Sequence, residues 1–210
     1  MATATSILQG SGGARAGGAR VVAHPAVRAP FTAYLGMVVF LASWTMMFAG
    51  LLFGYGLVRS RAPVWPPLDQ PPLPLLLPAL NTVVAAGSSA ALLIALRSFR
   101  GGRTRSGARA VAAAALLGAA FLALQAVVWT ALWAEGLHLD AGPYASAFYA
   151  LTGFHALHVL VGIGALAWLA LRAARRAYGP GCDLPVRLWS MYWHFVCAVW
   201  LVIYLAVYVA

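Results

Sequence analysis

Three imidazoles in an otherwise apolar chain are the side chains best equipped for chemistry: His155, His158 and His194. His155 and His158 stand one helical turn apart and share a face of one helix, while His194 lies in the next apolar block. An ionisable group in hydrocarbon is costly and turns toward the bundle interior, so each is a functional candidate. Haem b ligation needs imidazoles on opposite faces of the iron. Two histidines on one helix face cannot supply that, so His194 would have to pair with one of them. Zinc or copper could take all three, but no carboxylate or thiolate is clearly placed to complete the set. The remaining reading is structural, with hydrogen-bonded histidines that pack the fourth helix against the fifth or against a partner chain. The residue set favours this reading, so the chain is expected to hold no metal or cofactor and to have no catalytic centre.

The elements that carry these residues follow from hydropathy. Of the 210 residues, 63% are hydrophobic and 9% charged, where a soluble domain has about 25% charged residues. A soluble fold of this size has no interior large enough for that apolar surface. A helix that crosses the ~30 Å hydrocarbon layer needs ~20 mostly apolar residues, and the five stretches Phe31 to Leu57, Leu75 to Leu96, Ala110 to Ala134, Ala145 to Leu171 and Leu188 to Val209 qualify. Backbone groups in lipid must be satisfied within the segment, which makes these helices. The expected fold is an all-α polytopic membrane bundle of five helices over residues 30–210. It is preceded by a flexible basic tail over residues 1–29. The tail has no apolar block after a basic start, so it does not read as a cleaved signal peptide.

All fourteen basic residues are arginine. Twelve lie in the tail, the second loop and the fourth loop with its helix edge; Arg59 and Arg61 lie on the other side. The positive-inside rule then places the N-terminus and both arginine-rich loops in the cytoplasm and the C-terminus outside. The net charge of +10 is a topology signal, and no nucleic-acid partner is expected. Asp69, Glu135 and Asp140 fall in outward loops and Asp183 in the fourth loop, which leaves the helix cores without a carboxylate. Proton relays and transport pathways rest on intramembrane charges or broken helices, and neither is evident. Cys182 and Cys197 lie too far apart in the expected topology to bridge and are read as free thiols.

Other polar residues fit helix packing. Asn81, Thr82, Ser88 and Ser89 run along the second helix, with Gln125 and Thr130 along the third, and all are expected to hydrogen-bond across helix interfaces. Gly50 and Gly54 form a GxxxG pair, a pattern of close helix approach. Trp65, followed by Pro66 and Pro67, reads as an interfacial anchor at a rigid outward turn.

With the helices placed, longer motifs stand out. Gly153-Phe154-His155-Ala156-Leu157-His158-Val159 resembles the Gly-Phe-His-Gly-Leu-His-Val run in the penultimate helix of subunit III of the haem-copper respiratory oxidases. Tyr192-Trp193-His194-Phe195-Val196, then Trp200-Leu201 and Tyr204, resemble the last helix of that family. Trp65-Pro66-Pro67, Leu80-Asn81-Thr82 and the Gln125 region match in order. The resemblance runs from about Phe31 to the C-terminus and is to the short five-helix bacterial form.

The resemblance implies a non-catalytic accessory subunit of a proton-pumping terminal oxidase in a bacterial inner membrane. Haem and copper would reside in the partner subunits I and II, and this chain would pack on the largest subunit and bind phospholipid in its grooves. His155, His158, His194, Trp193, Asn81, Gln125 and Trp65 would be its structural, lipid or subunit contacts. At three positions where the family usually carries a helix carboxylate, this chain has Trp44, Val128 and Cys197. Roles of those acids do not transfer. A haem b membrane anchor and an accessory chain of a nitric oxide reductase are the alternative assignments.

Overall fold

The computed structural model describes residues 25–65, 67 and 70–209, with the backbone alone for residues 25–30. The stretch before Pro25, together with Pro66, Leu68, Asp69 and Ala210, lies outside the described residues. Five helices follow in order: α1 (Pro25–Arg61), α2 (Leu76–Arg100), α3 (Thr104–Ala134), α4 (Pro143–Ala174) and α5 (Leu184–Ile203). The chain runs on from α5 into a π-helical segment, Tyr204–Val209. All five are long and apolar enough to cross a membrane, and no strand occurs among the described residues. The protein is an all-α, multi-pass membrane bundle.

The helices outrun the apolar stretches that define them. α2 continues through Arg97 to Arg100, and α3 begins at Thr104, ahead of the expected Ala110. Arginine is a good helix former, and its long stem lies along apolar surface while the guanidinium reaches water. Each helix is thus extended by about a turn at its polar end. Pro143 and Pro185 stand in the first turns of α4 and α5, where a missing N–H costs no helix hydrogen bond. α2 and α3 stop at left-handed glycines, Gly102 (φ 72°) and Gly136 (φ 91°). Around them Arg103 N–H reaches Ser98 O at 2.9 Å, and Leu137 N–H reaches Leu132 O at 2.9 Å.

α2 packs along α3, α3 along α4 and α4 along α5, while α5 also returns to α2. α1 lies outside this ring against α4 and α5. The fully buried Leu92, Phe99, Phe148, Leu166 and Trp200 fill the ring. Each end is tied by its loops. At the arginine-rich end, buried Asp183 accepts from Arg187 at 2.6 and 2.8 Å and from Arg100 at 3.3 Å, joining the start of α5 to the end of α2. At the opposite end, Gln70 Nε2 donates to Ala141 O at 3.0 Å, and Tyr149 Oη donates to Leu137 O at 2.8 Å.

Candidate functional site

The spacing of His155 and His158 places both rings on the inner side of α4, His158 toward α1 and His155 between α1, α3 and α5. His158 lies edge-on to Trp44 at 4.1 Å and to Phe48 at 5.1 Å. Its Nδ1 bonds to Phe154 O at 2.6 Å, so that nitrogen carries the proton and donates within α4. His155 sits one turn deeper among Phe48, Phe121 and Trp200, with centroids at 6.3, 5.8 and 5.4 Å. Neither of its ring nitrogens has a hydrogen-bond partner, and it is 1% exposed. The expectation of hydrogen-bonded packing histidines therefore does not hold for His155, which is held by an aromatic cage. Two further buried polar atoms at this junction, His158 Nε2 and Trp44 Nε1, are also unpartnered.

His194 faces elsewhere. Its Nδ1 and Ser89 Oγ are 2.5 Å apart, so it joins α5 to α2. The expectation named packing of the fourth helix against the fifth or against a partner chain; the bond of His194 is instead to α2. Its neighbour Trp193 points inward, and the indole Nε1–H donates to Ser88 Oγ at 2.9 Å. Ser88 in turn donates to Ala114 O at 2.8 Å, which completes a relay from α5 through α2 to α3. The indole fits because Gly118 on α3 and Gly162 on α4 leave it room: a Cβ would stand 2.7 Å from the ring at Gly118 and 2.6 Å at Gly162. Neither glycine was evident as a packing site in the sequence, because each is conspicuous only opposite Trp193.

Asn81 and Gln125 meet across α2 and α3, with Nδ2 to Oε1 at 3.4 Å, and both are fully buried. Thr82 bonds back to Pro78 O and accepts from Trp200 Nε1 at 3.1 Å. Thr130 makes only a bond within its own helix, to Val127 O, and is exposed. The GxxxG pair is not used inside the chain, since nothing lies within 4 Å of a Cβ built at Gly50 or Gly54. Trp65 packs edge-on to Tyr55 at 5.5 Å and Tyr144 at 4.9 Å, pinning the end of α1 to the start of α4.

None of the three departures from the carboxylate pattern carries a charge, and only Cys197 makes a polar contact, its thiol donating weakly to a backbone carbonyl. Trp44 covers His158, Val128 is fully buried on α3, and Cys197 Sγ lies 3.6 Å from Ala85 O beside the His155 cage. Among the described residues no carboxylate reaches any of the three imidazoles, and no group of three His, Cys, Asp or Glu side chains is arranged around a metal position. His194 is turned to Ser89 on α2 while His155 and His158 lie among the aromatic rings of α1, α3 and α5, so the imidazoles are not gathered about one position. Among the described residues these side chains do not make a ligand set for haem or copper.

The family model described as cytochrome c oxidase subunit III matches residues 21–210. A cytochrome c oxidase subunit 3 of Synechocystis is 34% identical over 194 residues, covering 88% of this chain and 76% of its own length. That of Thermostichus vulcanus is 31% identical over 176 residues, covering 83% of this chain and 86% of its own. A vertebrate relative, from Gallus gallus, is 32% identical over 180 residues. With the match spanning every helix, and with His155, His158, Trp193 and His194 built into the packing of α1, α2, α4 and α5, the chain belongs to the cytochrome c oxidase subunit III family, the accessory subunits of haem-copper oxidases.

Proposed function

We propose that the chain is the non-catalytic subunit of a proton-pumping oxidase in a bacterial inner membrane and docks on the largest, haem-bearing subunit through the outer face of α1. The observation that carries this is the pattern of that face. Only 6% of the α1 span is buried within the chain, against 44% for α5. On the exposed side Gly36, Ser43 and Gly50 recur every seven residues, with Val39, Met46 and Phe53 between them at 62, 77 and 74% exposure. Alternating small and large residues at that repeat form holes and knobs for another helix, whereas acyl chains require no register. The arginine-rich end faces the cytoplasm under this reading, in keeping with the positive-inside rule. Subunit I supplies the docking helix, subunit II completes the complex, and phospholipid covers the rest of the apolar surface.

The test is purification in mild detergent by a tag on this chain. A large subunit with haem absorbance should co-purify at one copy per chain, and replacement of Gly50 by Leu should lose it. Recovery of this chain alone, or of haem bound to this chain and lost with His194→Ala, would overturn the reading.

A further inference from the structure

Asn81 on α2 and Gln125 on α3 are 0 and 1% exposed, and the bond between them satisfies only half of each. A primary amide offers an oxygen that accepts and a nitrogen that donates. Joined through Asn81 Nδ2 and Gln125 Oε1, the pair leaves Asn81 Oδ1 and Gln125 Nε2 without a partner. Turning both amides over would exchange the atoms and leave the same remainder, one donor and one acceptor. The bond itself is slack at 3.4 Å, against the usual ~2.9–3.0 Å for N–H···O. A third orphan stands beside them: the Tyr208 phenol, 7% exposed, lies against the Gln125 side chain without closing a hydrogen bond.

The adjoining hydroxyl on α2 is already committed. Thr82 donates to Pro78 O and accepts from Trp200 Nε1, and the Trp200 ring stands 6.3 Å from that of Tyr208. Phe148 closes another side of the phenol, edge-on at 6.0 Å. The three orphan atoms are sealed from the surface, so a side chain of a partner subunit does not reach them. Unpartnered polar groups are costly in any interior, and more so in a hydrocarbon layer where no solvent stands in for the missing bond. What remains to be matched is a donor, an acceptor and a hydroxyl that can act as either. An internal water, which typically makes about three hydrogen bonds to such groups, fits that set in size and chemistry.

We propose that Asn81, Gln125 and Tyr208 form a binding site for an ordered water, which accepts from Gln125 Nε2 and Tyr208 Oη and donates to Asn81 Oδ1. The water enters from the end of the bundle opposite the arginine-rich loops. There Tyr208 lines an open cleft of about 650 Å³ together with Arg59, Trp65 and Tyr144. Tyr208 thus stands between the cleft and the amides, with its ring at the opening and its hydroxyl turned to Gln125. It is carried on the π-helical segment Tyr204–Val209, a rare turn that recurs at functional sites. The direct Asn81–Gln125 bond joins two helices; the bound water joins the C-terminal segment to both. The site is independent of which helix α1 meets.

The experiment is X-ray hydroxyl-radical footprinting of the purified complex, or of the full chain where no partner is retained. Radiolysis of a bound water oxidises the side chain beside it even when that side chain is buried. Tyr192 is the internal control, 2% exposed with its Oη donating directly to His158 O at 3.0 Å. Tyr208 should be oxidised several-fold faster than Tyr192. Asn81→Leu combined with Gln125→Met, which removes both amides and keeps side chains of similar shape, should bring Tyr208 down to the Tyr192 rate. Equal rates at the two tyrosines in the parent would overturn the proposal. So would a Tyr208 rate that the double replacement leaves unchanged, because the oxidising water would then lie in the cleft. If the double variant does not assemble, a density map of the parent decides: a water peak within hydrogen-bonding distance of Asn81, Gln125 and Tyr208 supports the site, and no peak there in a map that shows ordered water elsewhere between the helices overturns it.

Discussion

α1 and α5 have nearly the same mean hydropathy, 2.0 and 1.8 over their most apolar windows, yet 6% of one and 44% of the other is buried within the chain. Hydropathy places both in the membrane and says nothing of what they touch. The difference lies in what faces the small residues. Across the ring, Gly118 and Gly162 meet the indole of Trp193 from α5; on α1, Gly36, Gly50 and Gly54 meet nothing within 4 Å. Lipid is as apolar as leucine, so helices in a bilayer are sorted by fit and hydrogen bonds. Small residues filled from within mark the fold, and under the proposed docking the open ones on α1 receive another helix.

The largest effects should follow from disturbing the filled side. Trp193→Ala removes a buried indole and the bond to Ser88, and should cost ~3–5 kcal/mol in thermal or denaturant unfolding of the detergent-solubilised chain. Gly162→Ala forces a Cβ to 2.6 Å from the same ring and should cost ~1–3 kcal/mol by overpacking. Gly50→Ala on α1 should shift stability by less than ~0.5 kcal/mol. Equal losses at Gly162 and Gly50 would erase the distinction between the two regions.

Asp183 sharpens the comparison at the end of the same ring. Hydrogen bonds from Arg187, and then from Arg100, hold its carboxyl below the ordinary carboxylate range, against the opposing effect of burial. A depressed native value means that its stabilisation is complete above the unfolded value of ~3.9 and is lost as pH falls through the native one. Asp183→Asn should lower stability at neutral pH and flatten the decline with acid, as read by unfolding midpoints across that window. A variant whose acid limb is as steep as the parent's would exclude Asp183 as its source. A modest effect is expected at Ser89→Ala, which removes the hydroxyl that meets His194 and should cost about 0.6 and no more than ~1.7 kcal/mol.

How much of this was legible in the sequence follows the same division. The helices, their number and the loop charges are written in composition, because hydrocarbon leaves the backbone few alternatives. The pairing of His155 with His158 on one face follows from spacing alone. The partners of those rings depend on which helix α4 meets, and periodicity carries no such information. The sequence therefore does not single out α2 as the helix that His194 meets, and Gly118 and Gly162 carry no sequence signal because glycine is conspicuous only beside the indole it admits. Gly50 and Gly54 were legible as a motif, but the chain does not itself occupy them. The ties of Asp183 to Arg100 and Arg187 join residues from two helices, and only the i, i+4 half of that cluster has a local signature.

The most direct measurement of the central claim is photocrosslinking from two equally exposed positions in the assembled complex. Met46 on the α1 seam is 77% exposed and Leu116 on α3 is 71% exposed, so neither is favoured by accessibility within the chain. A photoreactive residue at Met46 should yield an adduct with the large haem-bearing subunit, and one at Leu116 only lipid adducts. Protein adducts from Leu116 with none from Met46 would contradict the account and move the docking surface off α1.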